Sequence, residues 1–225
     1  AFGIAAILFG RILSFRRTLL AILFAGMGFG FSALLKSDGM WGNFAVDLDW
    51  RWTHSPEDQI LARQNQLPTA NMSAFDRSDI EQWLRNPEWP GFRGADRASR
   101  QRGPVLAADW AANPPELIWK IGVGPGWSSF VVAGKLLFTQ EQRGSMESVV
   151  CYAADSGREI WTQQIESRFD DPLGGPGPRA TPTLADNGLF VLGASGQLMR
   201  LDPTSGDVVW QVDLREIAER KPPMW

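Results

Sequence analysis

Six residues in the middle of the chain have the types and spacing to grip a ligand: Ser128 and Ser129, the pair Glu141 and Arg143, and Arg179 with Thr181. Arginine forks hold carboxylates in two places and hydroxyls donate or accept as needed, so the set suits an anionic or carbonyl-bearing ligand. The same residues fit a charged rim of mutually paired side chains, and that is the reading favoured here. Other reactive groups are sparse. Cys151 is the only cysteine; following Val149 and Val150, it is expected to be a buried small hydrophobe, and a lone cysteine supports neither a disulfide nor a metal knuckle. His54, the only histidine, has no identifiable acid–base partner and reads as part of a solvated linker. The glycine-rich stretches 122–126 and 174–177 contain proline and lack the strand-to-helix setting of a phosphate loop, so they read as turns.

The elements that must position these residues come from one pattern written twice. The first copy runs from Trp127 through Leu136-Leu-Phe138 and Val149-Val-Cys-Tyr152 to Gly157-Arg-Glu-Ile-Trp161. The second runs from Ala180 through Leu189-Phe-Val191 and Gln197-Leu-Met-Arg-Leu201 to Gly206-Asp-Val-Val-Trp210. Trp161 and Trp210 are 49 residues apart and Trp119 lies 42 before Trp161, within the period of a four-stranded radial repeat. Each copy divides into four short apolar runs separated by Gly, Asn, Asp and Pro turns; Asp186-Asn-Gly188 is a tight hairpin signal. The expected fold is therefore all-β, a partial β-propeller of four-stranded antiparallel blades. Residues 127–131 and 180–184 are the expected innermost strands, which line a propeller's channel. Glu116–Val123, carrying Trp119, reads as an outermost strand without partners nearby in sequence. Two copies and an orphan strand fall short of the about 4–8 blades of a closed ring, so the chain is expected to be part of a longer one.

Asp202-Pro-Thr-Ser-Gly206-Asp-Val-Val-Trp210 resembles the Asp-x-x-Thr-Gly-Lys-x-x-Trp docking motif of the PQQ-like β-propeller repeat proteins, a group that includes quinoprotein alcohol dehydrogenases and the outer-membrane assembly lipoprotein propeller. The resemblance covers about residues 116–225. It implies that Trp119, Trp161 and Trp210 pack between adjacent blades while Gly157 and Gly206 make the turns. The physics agrees, since an outer-strand indole offers a large apolar face and glycine takes positive φ freely. The first copy keeps Gly157 and Trp161 at the same spacing but has Ala153 where the second has Asp202. Trp89-Pro-Gly-Phe-Arg-Gly-Ala-Asp-Arg97 is similar to the lead-in before the family's first strand, and Arg93 and Arg97 there are expected to make structural salt bridges rather than to reach a ligand at the channel mouth. Asp47–Glu57 resembles a segment of membrane-anchored bacterial members.

The N-terminal part has a different character. Residues 18–35 contain no charge and as a continuous helix would rise about 27 Å, close to the hydrocarbon thickness of a bilayer. They are expected to span the membrane, with the preceding basic connector, including Arg11, Arg16 and Arg17, on the cytoplasmic side. An alternative takes Ser14–Leu20 as a twin-arginine export signal, which also sends the rest outward. Gly26 and Gly30 form a Gly-x-x-x-Gly pair within an ordinary small-residue membrane helix. Trp41, Phe44, Trp50 and Trp52 suit a water interface, and short helices are expected at 57–64 and 76–85. The expected organisation is a membrane segment over 1–36, an extracytoplasmic linker over 37–88 and propeller blades over 89–225.

Net charge is −3, yet the first 36 residues carry four basic side chains and no acid, which leaves −7 beyond them. An acidic domain argues against a nucleic-acid surface. The expected function is a binding or scaffold propeller in the cell envelope, facing the periplasm or exterior, with an envelope protein as partner and no cofactor. The alternative implied by the resemblance is a dehydrogenase using pyrroloquinoline quinone and calcium. That chemistry would call for an adjacent cysteine pair, acidic calcium ligands and a carboxylate base, and these residues supply no such set.

Overall fold

A computed structural model describes residues 14–40, 46–64, 69–101, 103, 109–171 and 174–218, which fall into two compact units divided after Thr53. In the first unit, helix α1 (Ser14–Ala33) is followed directly by strand β1 (Leu35–Met40), paired antiparallel with β2 (Val46–Trp50). Trp50 stacks on Trp52 at 5.0 Å and meets the edge of Phe31 at 6.0 Å. The apolar stretch is thus split. Leu34 turns the chain, donating to the Phe31 carbonyl and accepting from Arg51, and Leu35 belongs to the ribbon. The uncharged part inside α1, residues 18–33, rises only about 24 Å. Among the described residues no helix is long and apolar enough to cross a membrane. A Cβ added at Gly26 or Gly30 would meet no atom of the described residues beyond the helix's own backbone within 4 Å. Trp41, Phe44 and Arg11 lie outside the described residues.

The second unit opens with α2 (Pro56–Gln64) and α3 (Arg77–Arg85), both close to the expected bounds. Ser55 and Asp58 cap α2 reciprocally, side chain to backbone in both directions. In α3, Ile80 and Leu84 are one turn apart and buried, while Trp83 covers Gly134.

Two four-stranded antiparallel sheets follow, each a meander of the kind that makes a propeller blade. The first is β3 (Val131–Ala133), β4 (Leu136–Arg143), β5 (Met146–Ala153) and β6 (Glu159–Ile165). A two-residue ribbon, β7 (Asp170–Asp171) with β8 (Gly175–Pro176), leads into the second: β9 (Thr183–Ala185), β10 (Gly188–Leu192), β11 (Gln197–Leu201) and β12 (Val208–Asp213). Helix α4 (Leu214–Ala218) ends the described chain. Asp186 and Asn187 both take positive φ, as a two-residue hairpin turn requires. The side chains of the first sheet alternate between faces, and register places Phe138, Cys151 and Trp161 together on the face toward the second sheet. They share one core with Leu184, Leu189, Val191, Met199 and Leu201 of that sheet. Cys151 is fully buried, as expected, and burial pushes its thiol well above its ordinary value.

The two sheets are joined through an indole laid over a glycine turn, and the same contact ties the preceding segment to the first sheet. The Trp161 indole donates to the Pro203 carbonyl at 3.1 Å and lies over Gly206, where an added Cβ would stand 2.6 Å from the ring. Trp119 does the same from the segment before the first sheet: its indole donates to the Ala154 carbonyl at 2.9 Å and lies over Gly157, where an added Cβ would stand 2.7 Å from the ring. Both glycines have positive φ, so they supply the turn and the flat floor together. The departure at Ala153 leaves the turn intact. Gly157 N–H donates to the Ala153 carbonyl and Gly206 N–H to the Asp202 carbonyl, both at 2.8 Å.

What Asp202 adds is a side-chain brace, accepting from Thr204 N–H at 2.8 Å and the Thr204 hydroxyl at 2.6 Å. Burial acts most strongly on this carboxyl and opposes its ionisation, but the bonds from Thr204 and Ser205 outweigh burial and hold it below its ordinary value. Its stabilisation is therefore full above the unfolded value of about 3.9 and disappears as pH falls through the lower folded one. We expect Asp202→Ala to cost about 1 kcal/mol at pH 7, with the gap from the parent closing in acid; urea titrations at several pH values check this.

Three expected strand placements change. The innermost strands begin later, at Val131 and Thr183, because Trp127 N–H bonds the Pro178 carbonyl, Ser129 N–H bonds the Thr181 hydroxyl, and Pro182 has no N–H to give a ladder. Glu116–Val123 forms no ladder, as no strand pairs with it among the described residues. Trp210 sits on β12 as expected but is 39% exposed, whereas Trp161 is 9% exposed; no described sheet stacks on the outer side of β12.

Candidate functional site

The inner ends of the two sheets meet just before β3 and β9 begin. Ser129 N–H donates to the Thr181 hydroxyl at 2.9 Å, which ties the chain leading into β3 to the chain leading into β9. The Ser128 hydroxyl donates to the Ser129 carbonyl and accepts from Gln140 N–H and the Thr139 hydroxyl. These hydroxyls are spent on joining strands, which leaves little capacity for a ligand. Trp89, from the lead-in, exchanges both backbone hydrogen bonds with Val132, and the Pro90 carbonyl accepts from Leu184 N–H. The lead-in therefore lies along both inner strands, and Gly91 permits its close approach to Thr183.

Arg179 stands beside this joint. Its guanidinium donates to the carbonyls of Gly177 at 2.7 Å and Gly175 at 2.8 Å. It lies over the rings of Phe169 at 5.0 Å and Trp127 at 5.8 Å. Trp127 is 67% exposed, with its indole N–H on the Gly174 carbonyl. No carboxylate pairs with Arg179 among the described residues. A half-buried cation held by carbonyls and aromatic faces keeps its charge uncompensated, with one indole open to solvent beside it. This is the part of the predicted rim that remains able to meet an anionic or aromatic group.

Glu141 and Arg143 go elsewhere. Both point into the opposite face of the first sheet and are almost fully buried. Arg143 Nε meets Glu141 Oε1 at 2.5 Å, Arg143 Nη2 donates to the Tyr152 hydroxyl at 3.0 Å, and that hydroxyl donates to Glu141 at 3.1 Å. Arg143 Nη1 is 2.9 Å from Glu159 Oε2 but out of line for a hydrogen bond. Gly124 N–H completes the ring on Glu141 Oε2 at 2.9 Å. Burial is the largest influence on Arg143 and works against its charge, yet Glu141, Tyr152 and Glu159 together raise its pKa. Burial first, then Glu141, push Tyr152 up. Glu141 and Arg143 thus pair with each other as buried side chains of β4.

Arg93 and Arg97 also differ from expectation. Neither has a carboxylate partner among the described residues: Arg93 donates to the Ser99 hydroxyl at 3.0 Å and Arg97 to the Phe92 carbonyl at 2.9 Å. Both take positive φ, so the loop is held in a tight local shape. His54 is exposed. The sequence did not single out Trp127 or Phe169 as partners of Arg179, nor a buried Glu147 on β5; the only signal for the last was a charged residue inside an otherwise apolar strand. A separate cleft of about 630 Å³ lies at the outer margin of the sheets, lined by residues that include Asn71, Ile160, Trp161 and Thr204. Most of its polar atoms already serve the Asp202 turn and the cap at Asn71.

A family model, PQQ_2, described as outer membrane protein assembly factor BamB, matches residues 101–222. No curated protein matches the chain. Among solved structures, BamB from Moraxella catarrhalis is 22% identical over 40% of this chain and 22% of its own, with a TM-score of 0.28. Quinohemoprotein alcohol dehydrogenase from Comamonas testosteroni is 20% identical over 72% of this chain and 23% of its own, at 0.42. A europium-containing methanol dehydrogenase is 12% identical over 44% and 18%, at 0.32. The chain spans about a fifth of the length of these structures.

Proposed function

The chain belongs to the PQQ_2 family of PQQ-like β-propeller repeat proteins, and from that premise we propose that it is a binding or scaffold module of the cell envelope rather than a dehydrogenase. The observation that carries this reading is the fate of the rim: hydroxyls close the joint between sheets, Glu141 and Arg143 pair inside a sheet, and what stays open is Trp127 beside Arg179. An exposed indole next to a cation bound only to carbonyls suits a partner that brings an aromatic or carboxylate side chain.

The described residues do not fit calcium. Glu141 is turned inward onto Arg143, and no group of three or more acidic, histidine or cysteine side chains among the described residues is arranged to hold that ion. Placement outside the cytoplasmic membrane belongs to the same proposal. It is supported by the uncharged apolar residues 18–35, by the basic residues before them and by the exposed Phe29 and Phe31 on α1.

The test has two arms. A photoreactive residue at Trp127 in cells is expected to give one discrete cross-linked envelope protein, while the same residue at Asp207 on the periphery gives none. Titration with pyrroloquinoline quinone and calcium is expected to leave absorbance and melting temperature unchanged. A saturable one-to-one shift would establish the dehydrogenase reading in place of this one.

A further inference from the structure

Between the two sheets lies a seam of oxygen atoms with too few donors. Glu147 on β5 is 0% exposed; its Oε1 accepts from Gln140 Nε2 and its Oε2 from Ala194 N–H of the second sheet, both at 2.9 Å. Gln140 Nε2 also donates to the Leu192 carbonyl at 3.1 Å. Gln142 is the cross-strand partner of Glu147, so the two side chains share a face. Its Nε2 donates to the carbonyls of Ser167 at 3.0 Å and Gly144 at 3.1 Å.

These carbonyls fix both amide orientations, because a flipped amide would set oxygen against oxygen. The Oε1 atoms of Gln140, 2% exposed, and Gln142, 0% exposed, are therefore buried acceptors with no donor. Gln197 Oε1, beside Gly193 in the turn that reaches Glu147, is another. Burial acts first on the Glu147 carboxyl and raises its pKa, the bonds from Ala194 and Gln140 oppose that rise, and no charged residue acts on it, so ionisation there calls for a counter-charge. Arg143 belongs to the opposite face of the sheet and to Glu141.

A buried carboxylate without a counter-charge, set among oxygens that lack donors, is the donor set of a hard cation. One formal negative charge with otherwise neutral oxygens is balanced by a single positive charge, whereas a divalent ion would leave a net charge in a dry interior. We propose that the seam binds a monovalent alkali cation, sodium or potassium, held by the Glu147 carboxylate and the amide oxygens of Gln140 and Gln142, and that this ion locks the first sheet to the second. The site is distinct from the Arg179 rim and does not rest on the functional reading given above.

The test compares thermal unfolding of the full chain in sodium, potassium and choline chloride at equal ionic strength, repeated at several buffered pH values. Replacing choline by sodium or potassium is expected to raise the midpoint saturably by about 3–6 °C. Glu147→Gln, isosteric and uncharged, is expected to abolish the difference between salts. Since that variant disturbs a buried site, the parent chain gives an independent readout: sodium-23 line broadening that saturates with protein and is reversed by added potassium. Equal midpoints in all three salts without line broadening would overturn the proposal. So would a salt difference that survives in Glu147→Gln, or a midpoint that responds only to pH, which would mean that Glu147 holds a proton and the seam no metal ion.

Discussion

Trp161→Ala is expected to destabilise the chain by about 3–5 kcal/mol, the range for emptying a buried aromatic site. The indole fills the gap between the sheets, touches Phe138 at 5.8 Å between centroids, and donates its only N–H to the Pro203 carbonyl. Its removal leaves a cavity floored by Gly206 and an acceptor without its donor. Trp210→Ala, at the same position of the second copy, is expected to cost about 1 kcal/mol or less, since no described sheet covers that ring. Urea denaturation reads both as midpoint shifts at constant slope. Equal losses at the two positions would mean that the indoles act within their own sheets rather than between sheets.

The second large effect lies on the other face of the first sheet. Arg143→Met is expected to cost about 3–5 kcal/mol, because Glu141 would stay buried with only the Gly124 N–H and the Tyr152 hydroxyl to meet its charge. Adding Glu141→Gln removes the stranded charge, so the double variant should be more stable than Arg143→Met alone. Chemical denaturation of the parent, both single variants and the pair forms a closed cycle. Additive losses would mean that the two side chains do not depend on each other.

How far the sequence could be read depended on the range of the interaction that decides each feature. The register of Trp161 and Trp210 against Gly157 and Gly206 follows from local turn chemistry repeated at one spacing, and both copies place it as expected. Ala153 in place of Asp202 mattered little, as the turn is closed by backbone bonds that alanine also supplies. Local pattern starts the inner strands a few residues too early because the ladder is interrupted by contacts across 52 residues, Ser129 to Thr181, that it does not reveal. Alternation along β4 separates Gln140 and Gln142 from Glu141 and Arg143, but it does not say what each face will meet. The segment carrying Gly124 covers one face and the turn carrying Ala194 covers the other. The type and position of Arg179 mark it as a candidate in the sequence, whereas Phe169 reaches it only through the small β7–β8 ribbon, which leaves no local signal. The apolar N-terminal stretch is charge-free over 18–35, yet the helix stops at Ala33, where the ribbon takes over the backbone bonds.

The indole of one sheet is clamped by the glycine turn of the next. Proton exchange at the indole Nε1 positions, measured by NMR on nitrogen-15 tryptophan-labelled chain with Trp161→Phe and Trp210→Phe used for assignment, tests it most directly. Slow exchange is expected at Trp161, whose N–H is held by the Pro203 carbonyl, and rapid exchange at the half-covered Trp210. Rapid exchange at Trp161, matching that at Trp210, would contradict it.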